Sequence, residues 1–191
     1  TTKCWGHGTD GQLGNSATVS LGSSPSSMSS LAEVVMGSAA KAIKLDAGKF
    51  STCALLDNHQ VKCWGENLNG VLGQDSNMNV GHTSGFAVSI TPAVTFMSTL
   101  ALSTALDVET NGLTSCALST NSTVRCWGDN TNGMLGQNSG ALNMGTPNFP
   151  TIAGNILDSV LGAMAPVQKL TVGMNACAIS VHGPVVCWGN N

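Results

Sequence analysis

Tyrosine is absent from this chain of 191 residues, and aromatic side chains of any kind make up only 4% of it. Charged residues are scarce too, at 9%, where an ordinary soluble domain carries about 25%. The usual charged shell is thereby excluded, so the surface must be solvated by hydroxyls and amides, by attached glycans or by neighbouring subunits. A net charge of −3 offers no field for nucleic acid or anionic lipid and excludes nucleic acid as a partner. No apolar run reaches the roughly 20 residues that span a bilayer. The longest apolar stretch, Phe86 to Leu106, is broken by Ser, Thr and Pro. Metal-site spacing is missing as well: zinc favours cysteines about two to four residues apart, whereas His7, His59, His82 and His182 are scattered and the cysteines lie far from one another. No cofactor or metal is expected.

What the chain has instead is glycine, serine, threonine and asparagine, organised by one motif. Cys-Trp-Gly stands at Cys4–Gly6, Cys63–Gly65, Cys126–Gly128 and Cys187–Gly189. A motif recurring about every 60 residues marks a repeat architecture. The first three copies run on into Gly-rich loops ending at Gly14, Gly73 and Gly136, in which Gly11, Gly70 and Gly133 suit tight turns. The whole chain reads as one array, with repeats over about residues 3–61, 62–124 and 125–185 and a further one starting at 186–191. Either the protein begins and ends in register, or this is an ordered portion of a longer array. Cys4, lacking the upstream cysteine of its equivalents, favours the second.

Each later Cys-Trp-Gly follows another cysteine by ten residues, giving the pairs Cys53/Cys63, Cys116/Cys126 and Cys177/Cys187. Between them an apolar start, a polar turn and a β-branched return predict an antiparallel hairpin. Cysteines facing one another there come close enough for a disulfide. Free buried thiols and metal ligation are the rival readings, and disulfides are expected because one spacing recurs three times. Disulfides place the protein outside the cell or at its surface. Cys4 is left unpaired or bonded outside the sequence.

About four short strands per period are expected, among them Ala42–Gly48, a segment from Phe86 to Met97 that Pro92 demotes to an edge or bend, residues 105–110, and Val167–Gly173. Leu31–Lys44 and Ile156–Met164 could each hold a turn or two of helix. Ser23–Ser30 is a low-complexity exposed loop and a candidate for O-glycans.

The run Cys53-Ala-Leu, then Val61-Lys-Cys-Trp-Gly65, Asn67, Gly70 and Leu72-Gly73, repeated from Cys116 to Gly136 and less completely elsewhere, resembles the regulator of chromosome condensation repeat in a cysteine-bearing, secreted variant. The resemblance implies an all-β fold of tandem four-stranded propeller blades, normally seven to a ring. With about three repeats, the chain is expected to form a partial propeller or part of a larger array. It also implies that Trp5, Trp64, Trp127 and Trp188 pack in the blade interfaces beside Gly6, Gly65, Gly128 and Gly189.

The family's nuclear exchange-factor and chromatin roles are disfavoured by the expected disulfides and the acidic balance. A structural or interaction protein outside the cell is expected, plausibly a subunit or segment of a surface filament that binds copies of itself or neighbouring repeats. The alternative is a secreted module that binds a protein or glycan. The sequon Asn121-Ser-Thr marks a possible N-glycan at a hairpin tip. An enzyme is not expected. Asp10, Asp46, Glu66, Asp107, Glu109 and Asp129 are the candidate carboxylates, and the matched positions of Glu66 and Asp129 suggest turn capping. Asp129-Asn-Thr-Asn-Gly133 lacks the later acidic ligand of a calcium loop.

Overall fold

The computed structural model describes residues 1–37, 39–94, 104–120, 122–136 and 166–190. Among these residues nine strands form three antiparallel sheets of three, each a simple meander: β1 (Ala42–Ala47), β2 (Ser51–Leu56) and β3 (Val61–Gly65); β4 (Ala105–Thr110), β5 (Thr114–Ser119) and β6 (Val124–Gly128); β7 (Val167–Val172), β8 (Asn175–Ser180) and β9 (Val185–Gly189). The sheets are open, as in a partial propeller. Beyond the third strand of the first sheet, Gly65 makes an isolated antiparallel bridge with Val80. Each sheet spans the junction between two successive sequence periods, so blade and period are out of phase.

The register follows from the sequence of each hairpin. Cys53 faces Cys63 and Thr52 faces Trp64, and the pairing recurs as Cys116–Cys126 and Cys177–Cys187. All three facing pairs are disulfides, with Cα separations of 4.0–4.1 Å. At the hairpin tip, His59, Ser122 and Gly183 take positive φ at equivalent positions, the left-handed residue that lets such a loop turn back. Only Gly183 does so without a side chain to accommodate. The first strand of every sheet carries a bulge at the same place, between Ala42/Lys44, Ala105/Asp107 and Val167/Lys169.

Successive sheets stack face to face around one continuous core that includes Cys53, Trp64, Val108, Trp127 and Leu170. The turns leading into β2, β5 and β8 meet at one end. There Lys49 N–H donates to the Asn111 carbonyl (3.1 Å), and Asn111 Nδ2 donates to the Gly173 carbonyl (2.7 Å). A Cβ on Gly48 would lie 2.1 Å from the Gly112 nitrogen, so glycine is required where these two blades touch.

Two expectations fail here. Leu31–Lys44 holds no helix among its described residues. Val34 N–H donates to the Thr2 carbonyl, Gly37 turns at φ +81°, and Val34 and Met36 lay an extended segment on the core. Instead, a five-residue helix α1 (Pro25–Ser29) forms within the serine-rich loop, started by a Ser24–Ser27 capping box and Pro25. Nor is there a strand in the described part of Phe86–Met97. After a short 3-10 turn at Ser84–Phe86, Lys62 Nζ donates to the carbonyls of Val88 and Thr91, tying the segment into local turns. Residues 156–164 lie outside the described residues.

Candidate functional site

The repeated chemistry of this chain is the seam between blades. In each seam the indole N–H donates to a backbone carbonyl of the preceding Gly-rich loop: Trp64 to Gln12 (3.0 Å), Trp127 to Val71 (2.8 Å) and Trp188 to Met134 (2.8 Å). A hydroxyl on the facing strand reinforces two of them, Thr52 to Gln12 O (3.0 Å) and Ser115 to Val71 O (3.1 Å). The loops are held to receive the ring. Asn67 Oδ1 accepts from Leu72 N–H and Asn130 Oδ1 from Leu135 N–H, both at 3.0 Å from buried positions. Gly65 and Gly128 have φ of +115° and +103°, and a Cβ on either would strike the backbone carbonyl of Phe50 or Leu113. A side chain there would push the indole out of its seam.

Trp64 and Trp127 are fully buried and Trp188 partly so, but Trp5 is 61% exposed. Among the described residues no Gly-rich loop of a preceding repeat lies against Trp5. Gly6 keeps the positive φ of its equivalents and bridges to Leu21. Gly189 also takes a positive φ, +119°, beside Trp188. Cys4 is the free cysteine among the described residues, half-buried, and burial pushes its thiol above the ordinary range.

Two cavities accompany the seams. One of about 310 Å³ lies between the Cys4–Trp5 segment and the outer face of β1, lined by Leu45, Ala47, Gln12 and Thr52. The other, about 270 Å³, lies where blades two and three meet, with Met134 and Met174 inside and Lys49, Asn111, Asp129 and Asn132 around it.

Five of the six candidate carboxylates bond within the framework. Asp46 accepts from Thr110 N–H (2.5 Å), Asp129 from the Thr131 hydroxyl (2.6 Å) and Asp10 from the Thr9 hydroxyl (2.9 Å). Asp107 and Glu109 both pair with Lys44 across the first seam. Burial, with Asp10 adding, pushes Glu66 up. No group of three or more His, Cys, Asp or Glu side chains suited to a metal occurs among the described residues.

The Lys44 cluster has a pH signature. Burial opposes the Lys44 charge, yet its bonds to Asp107 and Glu109 hold the ammonium above its ordinary range, so its contribution is fully present at neutral pH. Burial raises the Glu109 carboxyl; Lys44 opposes that rise, while Asp46 and Asp107 add to it. A raised carboxyl makes charging costly in the folded state, so Glu109 takes stability away as pH rises from its ordinary value through its folded one. Lys44→Ala removes the opposing cation. It is expected to cost about 1 kcal/mol near pH 7, allowing for the screening of a one-third exposed ammonium, and progressively less toward about pH 3, where the carboxyls are protonated. Urea unfolding at both values measures this; an equal loss at both would contradict it.

Sequence reasoning missed the carbonyls of Gln12, Val71 and Met134 and the Lys44 cluster. The first had a signal, the fixed position between Gly and Leu-Gly, but a backbone acceptor leaves no mark on residue type.

Residues 42–71 and 107–133, each a blade with much of its Gly-rich loop, match the regulator of chromosome condensation (RCC1) repeat. No curated protein sequence matches the chain. Among solved structures it superposes on human WBSCR16 with a TM-score of 0.63 at 17% identity, over 95% of this chain and 40% of that one. Against yeast RCC1 (Prp20) in its complex with Kap60 the values are 0.59, 16%, 97% and 38%. Against Prp20p from Saccharomyces cerevisiae they are 0.57, 15%, 97% and 40%. The chain thus spans about 40% of the length of these proteins, and the likeness is one of fold. Two stretches of the chain match the regulator of chromosome condensation (RCC1) repeat, and its three disulfide-stapled sheets have the fold of blades in a partial propeller of that kind.

Proposed function

We propose that the chain is an interaction module of a structural protein outside the cell, a segment or subunit of a surface filament in which propeller repeats bind further repeats. The observation that carries this is the face of β1: Val108 and Leu170, the equivalents of Leu45 in blades two and three, are buried in seams, but Leu45 remains exposed. Three disulfides support an oxidising setting, and no described helix is long and apolar enough to cross a membrane. Glycans on the largely exposed Ser23–Ser30 segment and on Asn121 would help solvate a surface poor in charge. Asn121 itself lies outside the described residues, between Thr120 and Ser122 of the second hairpin turn. The carboxylates' framework roles favour a scaffold over an enzyme.

Electron microscopy of native material tests this. Regular filaments with an axial repeat near one three-blade unit are expected; discrete closed rings would overturn the filament. Rings would favour the second reading, a secreted module that binds a protein or glycan, for which the polar-rimmed cavity around Met134 and Met174 is the natural site.

A further inference from the structure

Leu45, Val108 and Leu170 occupy one register position, opposite Ala54, Ala117 and Ala178. Val108 and Leu170 are buried where β4 and β7 pack on β2 and β5 of the preceding blades. Leu45 is 42% exposed. Ala47 stands to Thr110 and Val172 in the same relation, exposed where they are buried. Across the cavity of about 310 Å³, Cys4 and Trp5 repeat Cys63 and Trp64, and among the described residues no strand faces them to supply what Cys53 and Thr52 supply in the first blade.

We infer that this groove receives a β-hairpin of a further repeat of the same type, whose cysteine forms a disulfide with Cys4. The seams already present define the occupant. Its second strand runs antiparallel to residues 4–6, with a cysteine opposite Cys4 as Cys53 is opposite Cys63. A hydroxyl residue just before that cysteine faces Trp5, as Thr52 and Ser115 face their tryptophans. An apolar face covers Leu45 and Ala47 and continues the stack by one blade. A second copy of this chain does not supply the cysteine, because every described cysteine other than Cys4 is already in a disulfide.

The bond forms by exchange with a hairpin cysteine held as a mixed disulfide with glutathione. The Cys4 thiolate attacks the hairpin sulfur, the new S–S bond forms as the old one breaks, and glutathione leaves as a thiolate that takes a proton from water. Burial keeps Cys4 mostly as the unreactive thiol toward small disulfides, which limits background exchange.

The occupant presupposes that the chain is an interaction module, and the test separates the two. The probe is a synthetic peptide spanning residues 105–119, the β4–β5 hairpin, with Cys116 as its glutathione mixed disulfide. It is offered to the intact protein, and the Cys4 adduct is followed by mass spectrometry. Docking raises the effective concentration, so reaction is expected to be about tenfold faster than with a scrambled peptide carrying the same cysteine. Leu45→Asp, at an exposed position that folding does not need, should abolish the preference and leave reaction with oxidised glutathione unchanged. Equal rates for the two peptides, an unaltered preference in Leu45→Asp, or Cys4–Cys4 dimers as the main product would each overturn the inference. Filaments found alongside such a failure would leave the module standing and remove only this occupant.

Discussion

Reduction of the three disulfides is expected to unfold the chain at room temperature. Each closes a ring across a sequence separation of 10, worth about 2.7 kcal/mol in chain entropy. Together they approach about 8 kcal/mol, a sum comparable to the whole stability of an ordinary domain, about 5–15 kcal/mol. Cys53, Cys63, Cys116 and Cys126 are buried within the sheets. A free thiol is itself well tolerated in such a place, so the loss comes from releasing the rings rather than from burying polar groups. Titration with a phosphine reductant, followed by circular dichroism and by alkylation mass, reads the outcome. The strand signal and the tryptophan environment should disappear together as the thiols become free. A native tryptophan signal with all six thiols alkylated would refute the expectation.

The second large effect is predicted for Trp127→Ala. Trp127 is wholly buried between blades, and truncating such a ring costs about 3–5 kcal/mol. Its carbonyl partner is not orphaned, since Ser115 also donates to Val71 O, so the loss is chiefly packing. Trp127→Phe keeps most of the ring and gives up one donor, at about 1 kcal/mol for the bond plus a modest cavity. Trp5→Ala, in the same tripeptide but largely exposed, should stay within about 0.5 kcal/mol. Urea melts of the three variants decide the matter. Similar losses at positions 5 and 127 would mean that the seams are not where the stability resides.

The hairpins and their disulfides were legible because they are written locally. A separation of ten positions between cysteines, an apolar start and a polar turn determine the register without help from the rest of the chain. The number of strands was not. Residues from Phe86 onward have strand-like composition, yet the buried Lys62 ammonium takes up their carbonyls from another strand, a tertiary partner that no window of sequence reveals. The Leu31–Met36 segment misled in the opposite direction. Leu31 and Val34 stand at helical spacing, but Val34 is bound to Thr2, and the core claims it in extended form. In the seam, the tryptophans announced themselves, whereas their acceptors did not: Gln12, Val71 and Met134 share only a carbonyl. The exposure of Trp5 was equally hidden, because an identical tripeptide is buried or bare according to what lies next to it.

The cysteine bridges also set how far the molecule can lengthen under load. A pull along the polypeptide can peel β1 from β2 and separate the blades, but it cannot open a hairpin whose two strands are bonded at Cys53–Cys63, Cys116–Cys126 or Cys177–Cys187. Each bridge withholds roughly 30 Å of contour from extension, at about 3.4 Å per residue. The force passes through sulfur and bypasses the turn at His59, Ser122 or Gly183. A strand of such units would yield in short, equal steps at the seams and keep every hairpin ready to re-form them.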